Sequence, residues 1–203
     1  FGVYQGIKAS AAQHYGDESL KDRHIAVQGL GHVGYYLCQD LASEGAKLTV
    51  TDLDADSLNR VVEEFGATAV DPDAIYAVDA DIFAPCALGA VVNDDTLGQF
   101  SFDIIAGAAN NVLADSSVHG RALTEKGILY APDYVINAGG LVNVYGEIHE
   151  WDSERSRKKA GEIFDTLLGI FELSASEGLG THTAADRVAE RRVAEARHLQ
   201  RTW

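Results

Sequence analysis

The sequence predicts an α/β fold in which a doubly wound parallel sheet is followed by a C-terminal helical tail. Over residues 1–150, short apolar runs bounded by loops alternate with amphipathic stretches. That alternation is typical of parallel sheets that are covered by helices on both faces. From Trp151 onward, the apolar residues recur at helical spacing alone. We therefore expect a sheet domain over residues 1–150 and helices packed against it over residues 151–203.

The predicted strands are the short apolar runs, because a strand that is buried on both faces shows no polar alternation. In chain order they are Ile25–Val27, Leu48–Val50, Ala67–Val70, Asp81–Ala84, Ile104–Ala106 and Ile128–Tyr130. Helices are predicted between them where apolar residues fall three and four apart, over Phe1–Tyr15, Val33–Glu44, Asp54–Phe65 and Ser116–Lys126. In the second of these helices, Val33, Leu37 and Leu41 are expected to share one face.

The tail is predicted to contain two helices. The first spans Ser153–Ser176, where Ile163 and Leu167 recur at helical spacing, and Gly178–Gly180 breaks it. Thr183 followed by Asp186 resembles a capping box, which predicts that the last helix begins there and runs to about His198. The many charged residues of the tail are interpreted as solvent-facing surfaces or interdomain contacts.

A glycine-rich turn between the first strand and the second helix is the most informative motif. Gly29, Gly31 and Gly34 form the pattern G-x-G-x-x-G. In a dinucleotide site, the first glycine permits a tight turn, the second lets the backbone approach a pyrophosphate, and the third allows close packing of helix on strand. The helix N-terminus then offers unpaired N–H groups to the phosphates. The motif predicts a Rossmann-type dinucleotide-binding site.

Asp52 strengthens this prediction because it follows the second strand, 18 residues after Gly34. A carboxylate there accepts hydrogen bonds from the adenosine ribose of NAD and repels the 2′-phosphate of NADP. No arginine follows it, since the next residues are Leu53, Asp54 and Ala55. NAD is therefore the expected cofactor. A glycine-rich turn in some other α/β protein would not account for Asp52.

Composition excludes several classes of partner. The net charge of −15 opposes binding to nucleic acids or to anionic membranes. No stretch reaches the length of a transmembrane helix, and no signal peptide is recognisable. Cys38 and Cys86, the only cysteines, suggest neither a disulfide framework nor a metal site, and a cytoplasmic location is expected. The chain begins at Phe1 and contains no Met, so we expect it to be a domain excised from a longer protein.

Five blocks of sequence carry a resemblance to a known family. They are GLGHVGYYLC and TDLD in the first βαβ unit, DIFAPCALG at residues 81–89, IAGAANNVL at 105–113 and APDYVINAGGLVNV at 131–144. In order and spacing they resemble the C-terminal, cofactor-binding half of the glutamate/leucine/phenylalanine/valine dehydrogenases, and the leucine dehydrogenases most. The resemblance implies NAD-dependent oxidative deamination of an L-amino acid to a 2-oxo acid and ammonia, by a homo-oligomer.

The resemblance also assigns site residues. It implies that Asn110 lies on the ribose side of the nicotinamide and that Asn137 lies near the nicotinamide and the substrate. Leu141 and Val144 would line the pocket for the substrate side chain, with plain core packing as the alternative. Cys86 is interpreted as a packed residue and not a nucleophile. The complete set expected to bind the cofactor is Gly29, Gly31, His32, Val33, Gly34, Asp52, Leu53, Cys86, Ala87, Ala108, Asn110 and Asn137.

No catalytic acid or base is assigned in this chain. The resemblance implies that the lysine pair and the aspartate of the family lie upstream of Phe1, so we expect this chain to bind NAD without turnover. A branched-chain or other apolar amino acid is the expected substrate. Specificity for phenylalanine, valine or tryptophan remains open, as does a nucleotide-sensing module without chemistry, which would not need the Asn-Ala-Gly-Gly of residues 137–140. Opine and alanine dehydrogenases are disfavoured by the helical tail.

Overall fold

The structure, a computed structural model, describes the backbone of residues 1–200 and the side chains as far as residue 197. It contains a six-stranded sheet and nine helices within that range. The helices are α1 (Gly2–Tyr15), α2 (His32–Glu44), α3 (Ala55–Phe65), α4 (Ser116–Glu125), α5 (Asp133–Ile136), α6 (Gly139–Ile148), α7 (Ser153–Gly161), α8 (Ile163–Glu177) and α9 (Thr181–Gln200). None of the helices is both long and apolar enough, over the described residues, to cross a bilayer.

All strands of the sheet run parallel, in the order β3-β2-β1-β4-β5-β6. They are β1 (His24–Gln28), β2 (Lys47–Thr51), β3 (Thr68–Ala69), β4 (Ile82–Pro85), β5 (Ile104–Ile105) and β6 (Leu129–Tyr130). Each lies where an apolar run predicted a strand, so the doubly wound fold is confirmed. The strand order reverses between β1 and β4, which opens a crevice at their carboxyl ends.

One face of the sheet is covered by helices from both ends of the chain. Ile25, Val27 and Val50 of the sheet belong to the same core cluster as Ile7 of α1 and Leu167 of α8. The contact between α1 and α5 is close, because a Cβ on Gly6 would lie 2.3 Å from Cγ1 of Ile136. The tail helix α8 therefore contributes to the main core of the sheet domain.

The opposite face is covered by α4, loops and two short 3-10 turns at Ala74–Ala77 and Leu97–Gln99. Its centre is aromatic: the ring of Phe83 lies 5.0 Å from that of Phe102 and 6.0 Å from that of Tyr76, centroid to centroid. Alternate residues of β1 point to the two faces, so that Ala26 belongs to this second cluster. Both faces of β1 and β4 are thus buried, which explains their continuous apolar sequences.

The tail differs from its prediction in two places. The predicted helix over Ser153–Ser176 is interrupted at Glu162, whose ψ of −8° ends α7 before α8 begins. The last helix begins at Thr181 and not at Thr183, so the predicted capping box is wrong. Tertiary contacts explain that difference: the Thr181 hydroxyl donates to the carbonyl oxygen of Tyr130, and Asp186 accepts from the Tyr134 hydroxyl.

Candidate functional site

The residues expected to bind a dinucleotide lie along the carboxyl edge of β1, β2, β4 and β5, and in the helix that follows β6. In the glycine turn, Gly29 has a φ of +93°, and a Cβ there would lie 2.5 Å from Cβ of Ala87. A Cβ on Gly34 would lie 1.9 Å from the carbonyl oxygen of Gly29, so α2 packs directly on the turn. The fold therefore requires glycine at position 29 for its positive φ, and it requires position 34 to lack a side chain so that α2 can pack closely on the turn.

Gly31 differs from both neighbours. Its φ of −61° suits any L-residue, and a Cβ there would meet no protein atom within 4 Å. Neither backbone strain nor protein packing explains a glycine at this position. A bound group that must approach the backbone closely does explain it, and this is the place of the pyrophosphate in a Rossmann-type site.

The N-terminus of α2 faces the open space beside Gly31. Gly31 is its N-cap, no side chain caps it, and its first turn contains no acidic residue. The first N–H groups of the helix are thus free to meet an anion. His32 is exposed at this end. Val33 is 49% exposed and lines the cleft onto which Asn137 opens, whereas Leu37 and Leu41, which are predicted on the same face of α2, are buried.

The Asp52 carboxylate is fixed at the end of β2 by two backbone N–H groups. One oxygen accepts from Leu30 in the glycine turn at 2.5 Å, and the other accepts from Asp54 at 2.8 Å. A carboxylate offers about four lone-pair sites, so acceptor capacity remains for a ribose. Asp54 caps α3 through Ser57, whose bonds lower the pKa of the Asp54 carboxyl. Leu53 is 85% exposed between these two acids.

The loop after β4 closes the other side of the glycine turn. The N–H of Cys86 donates to the carbonyl oxygen of Gln28 at 2.7 Å, and Ala87 packs against Gly29. Burial raises the pKa of the Cys86 thiol to about 11. A thiol with that pKa is protonated at neutral pH, which agrees with a packed residue and not with a nucleophile.

An asparagine pair joins the end of β5 to the segment between α5 and α6. Nδ2 of Asn137 donates to Oδ1 of Asn110 at 2.6 Å, and it lies 3.4 Å from the carbonyl oxygen of Ala108. Over the described residues, Oδ1 of Asn137 and Nδ2 of Asn110 make no hydrogen bond. The pair can therefore offer one acceptor and one donor to a ligand such as a carboxamide.

Asn137 opens onto a cleft of about 400 Å³. Its wall includes Val33 and Ala108 from the predicted set, and Gly139 and Gly140 of the Asn-Ala-Gly-Gly motif. The remaining lining residues were not indicated by the sequence: Phe1, Gly2, Val3, Asn143, Ser153, Ser156, Arg157 and Ala160. These come from α1, α6 and α7, which meet only through long-range packing. Their convergence leaves no local sequence signal apart from the glycine pair at 139–140.

Leu141 and Val144 do not line this cleft. They lie on α6 and are 74% and 53% exposed, so the alternative of core packing is excluded. Tyr145 and Ile148 extend the same exposed apolar face of the helix, at 51% and 73% exposure. The structure thus brings the predicted cofactor residues to one edge and leaves the two predicted pocket residues beside it, open to solvent.

A family model described as "Glutamate/Leucine/Phenylalanine/Valine dehydrogenase" matches residues 1–201. The leucine dehydrogenase of Bacillus cereus is 49% identical over 203 residues, which cover 100% of this chain and 55% of that protein. The valine dehydrogenase of Streptomyces coelicolor is 45% identical over 200 residues, covering 97% of this chain and 55% of that protein. The crystal structure of L-tryptophan dehydrogenase from Nostoc punctiforme superposes with a TM-score of 0.94 at 47% identity, covering 97% of this chain and 59% of that one. The chain spans about half the length of the relatives it matches.

Proposed function

Because the chain belongs to the glutamate/leucine/phenylalanine/valine dehydrogenase family, we propose that it is the cofactor-binding part of an NAD-dependent L-amino-acid dehydrogenase. In this proposal, residues 1–150 form the NAD-binding domain. Residues 151–203, of which 201–203 lie outside the described residues, pack on it and towards a catalytic domain. The full-length enzyme would deaminate an apolar L-amino acid oxidatively, as a homo-oligomer. A sensing module without chemistry is not favoured by the family.

The observation that carries the proposal is the empty space around Gly31. Neither the backbone conformation nor the packing of the described residues requires glycine at position 31. The residue lies at the N-terminus of α2, which no side chain caps. A bound pyrophosphate would require glycine here, because its oxygens can accept hydrogen bonds from the free N–H groups only if no side chain intervenes. The crevice where the strand order reverses supports the same position.

The choice of NAD over NADP rests on the charges around Asp52. Asp54 and Asp56 follow it on the same loop and the first turn of α3. The first cation that follows Asp52 along the chain is Arg60, whose Nε donates to Glu64 at 3.0 Å and which stacks on Tyr35. Lys47 precedes Asp52 but lies at the opposite end of β2. Among the described residues of this loop and the first turn of α3, a 2′-phosphate would thus meet carboxylates and no cation. We propose that Asp52 accepts the ribose hydroxyls of NAD.

At the other end of the site, Asn110 and Asn137 would orient the nicotinamide carboxamide, with Val33 and Ala108 forming the wall against which the ring rests. When bound, NAD would accept a hydride from Cα of the amino acid. The residues of this chain position the ring and keep water from one of its faces. Leu141 and Val144 would offer an apolar surface to the substrate side chain, which favours a branched aliphatic amino acid.

Proton transfer would have to come from elsewhere in the full-length enzyme. Over the described residues, the cleft wall carries no carboxylate, histidine or lysine side chain. Its one charged side chain among these residues is Arg157, and a guanidinium has no acceptor with which to take up a proton. Water activation needs a base within hydrogen-bond reach, so the chain alone is expected to bind the cofactor without turnover.

The test is to titrate the purified chain with NADH and with NADPH by calorimetry, and to assay it with leucine and NAD. We expect heat on NADH addition, at least about tenfold weaker NADPH binding, and no turnover. If NADH does not bind, the proposed cofactor site is wrong. If NADPH binds equally well, the role given to Asp52 is wrong. Turnover by the chain alone would refute the assignment of the chemistry to another domain.

A further inference from the structure

Arg157 is a cation that faces the cofactor cleft without a carboxylate partner. It lies on α7, and its guanidinium stacks over the ring of Phe1, 3.8 Å from the ring centroid. Over the described residues it forms no ion pair, whereas Lys159 on the same helix pairs with Glu162 at 2.6 Å. Most Lys and Arg side chains among the described residues also form no ion pair, but Arg157 is the one among them that lines this cleft.

The surroundings of Arg157 leave its charge uncompensated within the cleft. The wall is otherwise made of apolar, glycine, serine and asparagine residues, among them Asn137 and Val33. Stacking on Phe1 holds the guanidinium towards this side of α7. Arg155, two residues earlier, instead stacks on Trp151 at 4.3 Å and does not line the cleft. The two arginines thus share a helix and a type of contact but differ in what they face.

The oxidised and reduced forms of the dinucleotide differ by one unit of charge at the nicotinamide ring, which is a cation in NAD⁺ and neutral in NADH. We infer that Arg157 determines the relative affinity of the site for these two forms, favouring NADH over NAD⁺. The inference rests on the proposed function, which puts the nicotinamide in the cleft beside Asn137. For an assumed separation of about 8 Å in a water-exposed cleft, the repulsion between two like charges changes a dissociation constant roughly two- to threefold.

The measurement is the ratio of the dissociation constants for NAD⁺ and NADH, obtained by titration of the unaltered chain and of Arg157→Gln, Arg157→Lys and Arg155→Gln. A ratio is used because loss of general attraction to the phosphates affects both forms alike.

We expect Arg157→Gln to lower the ratio roughly two- to threefold, and Arg157→Lys and Arg155→Gln to leave it near that of the unaltered chain. In the unaltered chain, raising NaCl from 20 to 500 mM should shrink the preference for NADH, because salt screens the repulsion. This measurement needs no variant and applies even if Arg157→Gln does not fold.

Three results would overturn the inference: an unchanged ratio in Arg157→Gln, an equal decrease in Arg155→Gln, or a ratio in the unaltered chain that is insensitive to salt. These results presuppose that the unaltered chain binds NADH. Absence of any binding would instead refute the proposed function, and with it this inference, so the two failures are distinguishable.

Discussion

Replacing Gly31 by alanine should weaken dinucleotide binding while leaving the fold intact, whereas replacing Gly29 by alanine should destabilise the fold. At Gly31 the φ of −61° suits alanine, and the added Cβ meets no protein atom within 4 Å. Alanine is a poorer N-cap than glycine but loses less backbone entropy on folding. These effects oppose each other, so the free energy of unfolding should change by less than about 1 kcal/mol.

At Gly29 the same methyl group meets two obstacles. The φ of +93° lies in the left-handed region, which costs an L-residue roughly 1–2 kcal/mol. The Cβ would also lie 2.5 Å from Cβ of Ala87 and 2.9 Å from its backbone nitrogen. Overpacking of this kind costs roughly 1–3 kcal/mol. The expected loss of stability is therefore about 2–5 kcal/mol.

Urea denaturation gives the free energy of unfolding of each variant, and calorimetric titration gives its affinity for NADH. In Gly31→Ala the Cβ would project into the space proposed for the pyrophosphate, so affinity should fall at least about tenfold, or about 1.4 kcal/mol. The reasoning would be refuted if Gly31→Ala bound NADH as tightly as the unaltered chain. It would also be refuted if Gly31→Ala were destabilised as much as Gly29→Ala.

Three further predictions follow from other parts of the structure. Asp52→Asn should reduce the preference for NADH over NADPH, which competition binding measures. It should also cost about 1–3 kcal/mol of stability, measured by urea denaturation, because it weakens the bonds that the carboxylate accepts from backbone N–H groups. An unchanged cofactor preference would contradict the role given to Asp52. In a Cys38→Ala background, the rate of alkylation of Cys86 should rise with pH, with an inflection near the Cys86 pKa of about 11. An inflection at the ordinary thiol pKa, between about 8 and 9, would contradict the burial of this thiol. Leu141→Ala should change the free energy of unfolding by less than about 0.5 kcal/mol, because Leu141 is exposed. The matched variant Leu167→Ala should cost about 2–5 kcal/mol, because Leu167 is fully buried in α8. Similar losses for the two variants in urea denaturation would mean that α6 is packed differently.

The sequence by itself determined the sheet, its neighbouring helices and the family. Strands buried on both faces are apolar along most of their length, so the run Asp81–Ala84 predicted the strand observed at Ile82–Pro85 without knowledge of its partners. The glycine turn and Asp52 could be predicted because each serves a local backbone requirement within one βαβ unit. The resemblance carried by the five blocks of sequence is confirmed by the family match over residues 1–201.

Only the tertiary structure decided which distant side chains share the cleft. Phe1, Asn137 and Arg157 are separated by long stretches of chain, and they line one cleft because the start of α1, the segment between α5 and α6, and α7 pack together. The exposure of Leu141 and Val33 was likewise beyond sequence reasoning, since helical periodicity identifies an apolar face but not what covers it. Hydrogen bonds from Thr181 and Tyr134 to distant partners fixed the start of the last helix in the same way. A local sequence pattern reflects the backbone conformation and burial of its own segment, so it predicts helices, strands and turns. Contacts between distant segments depend on how the whole chain packs, so only the tertiary structure determines them.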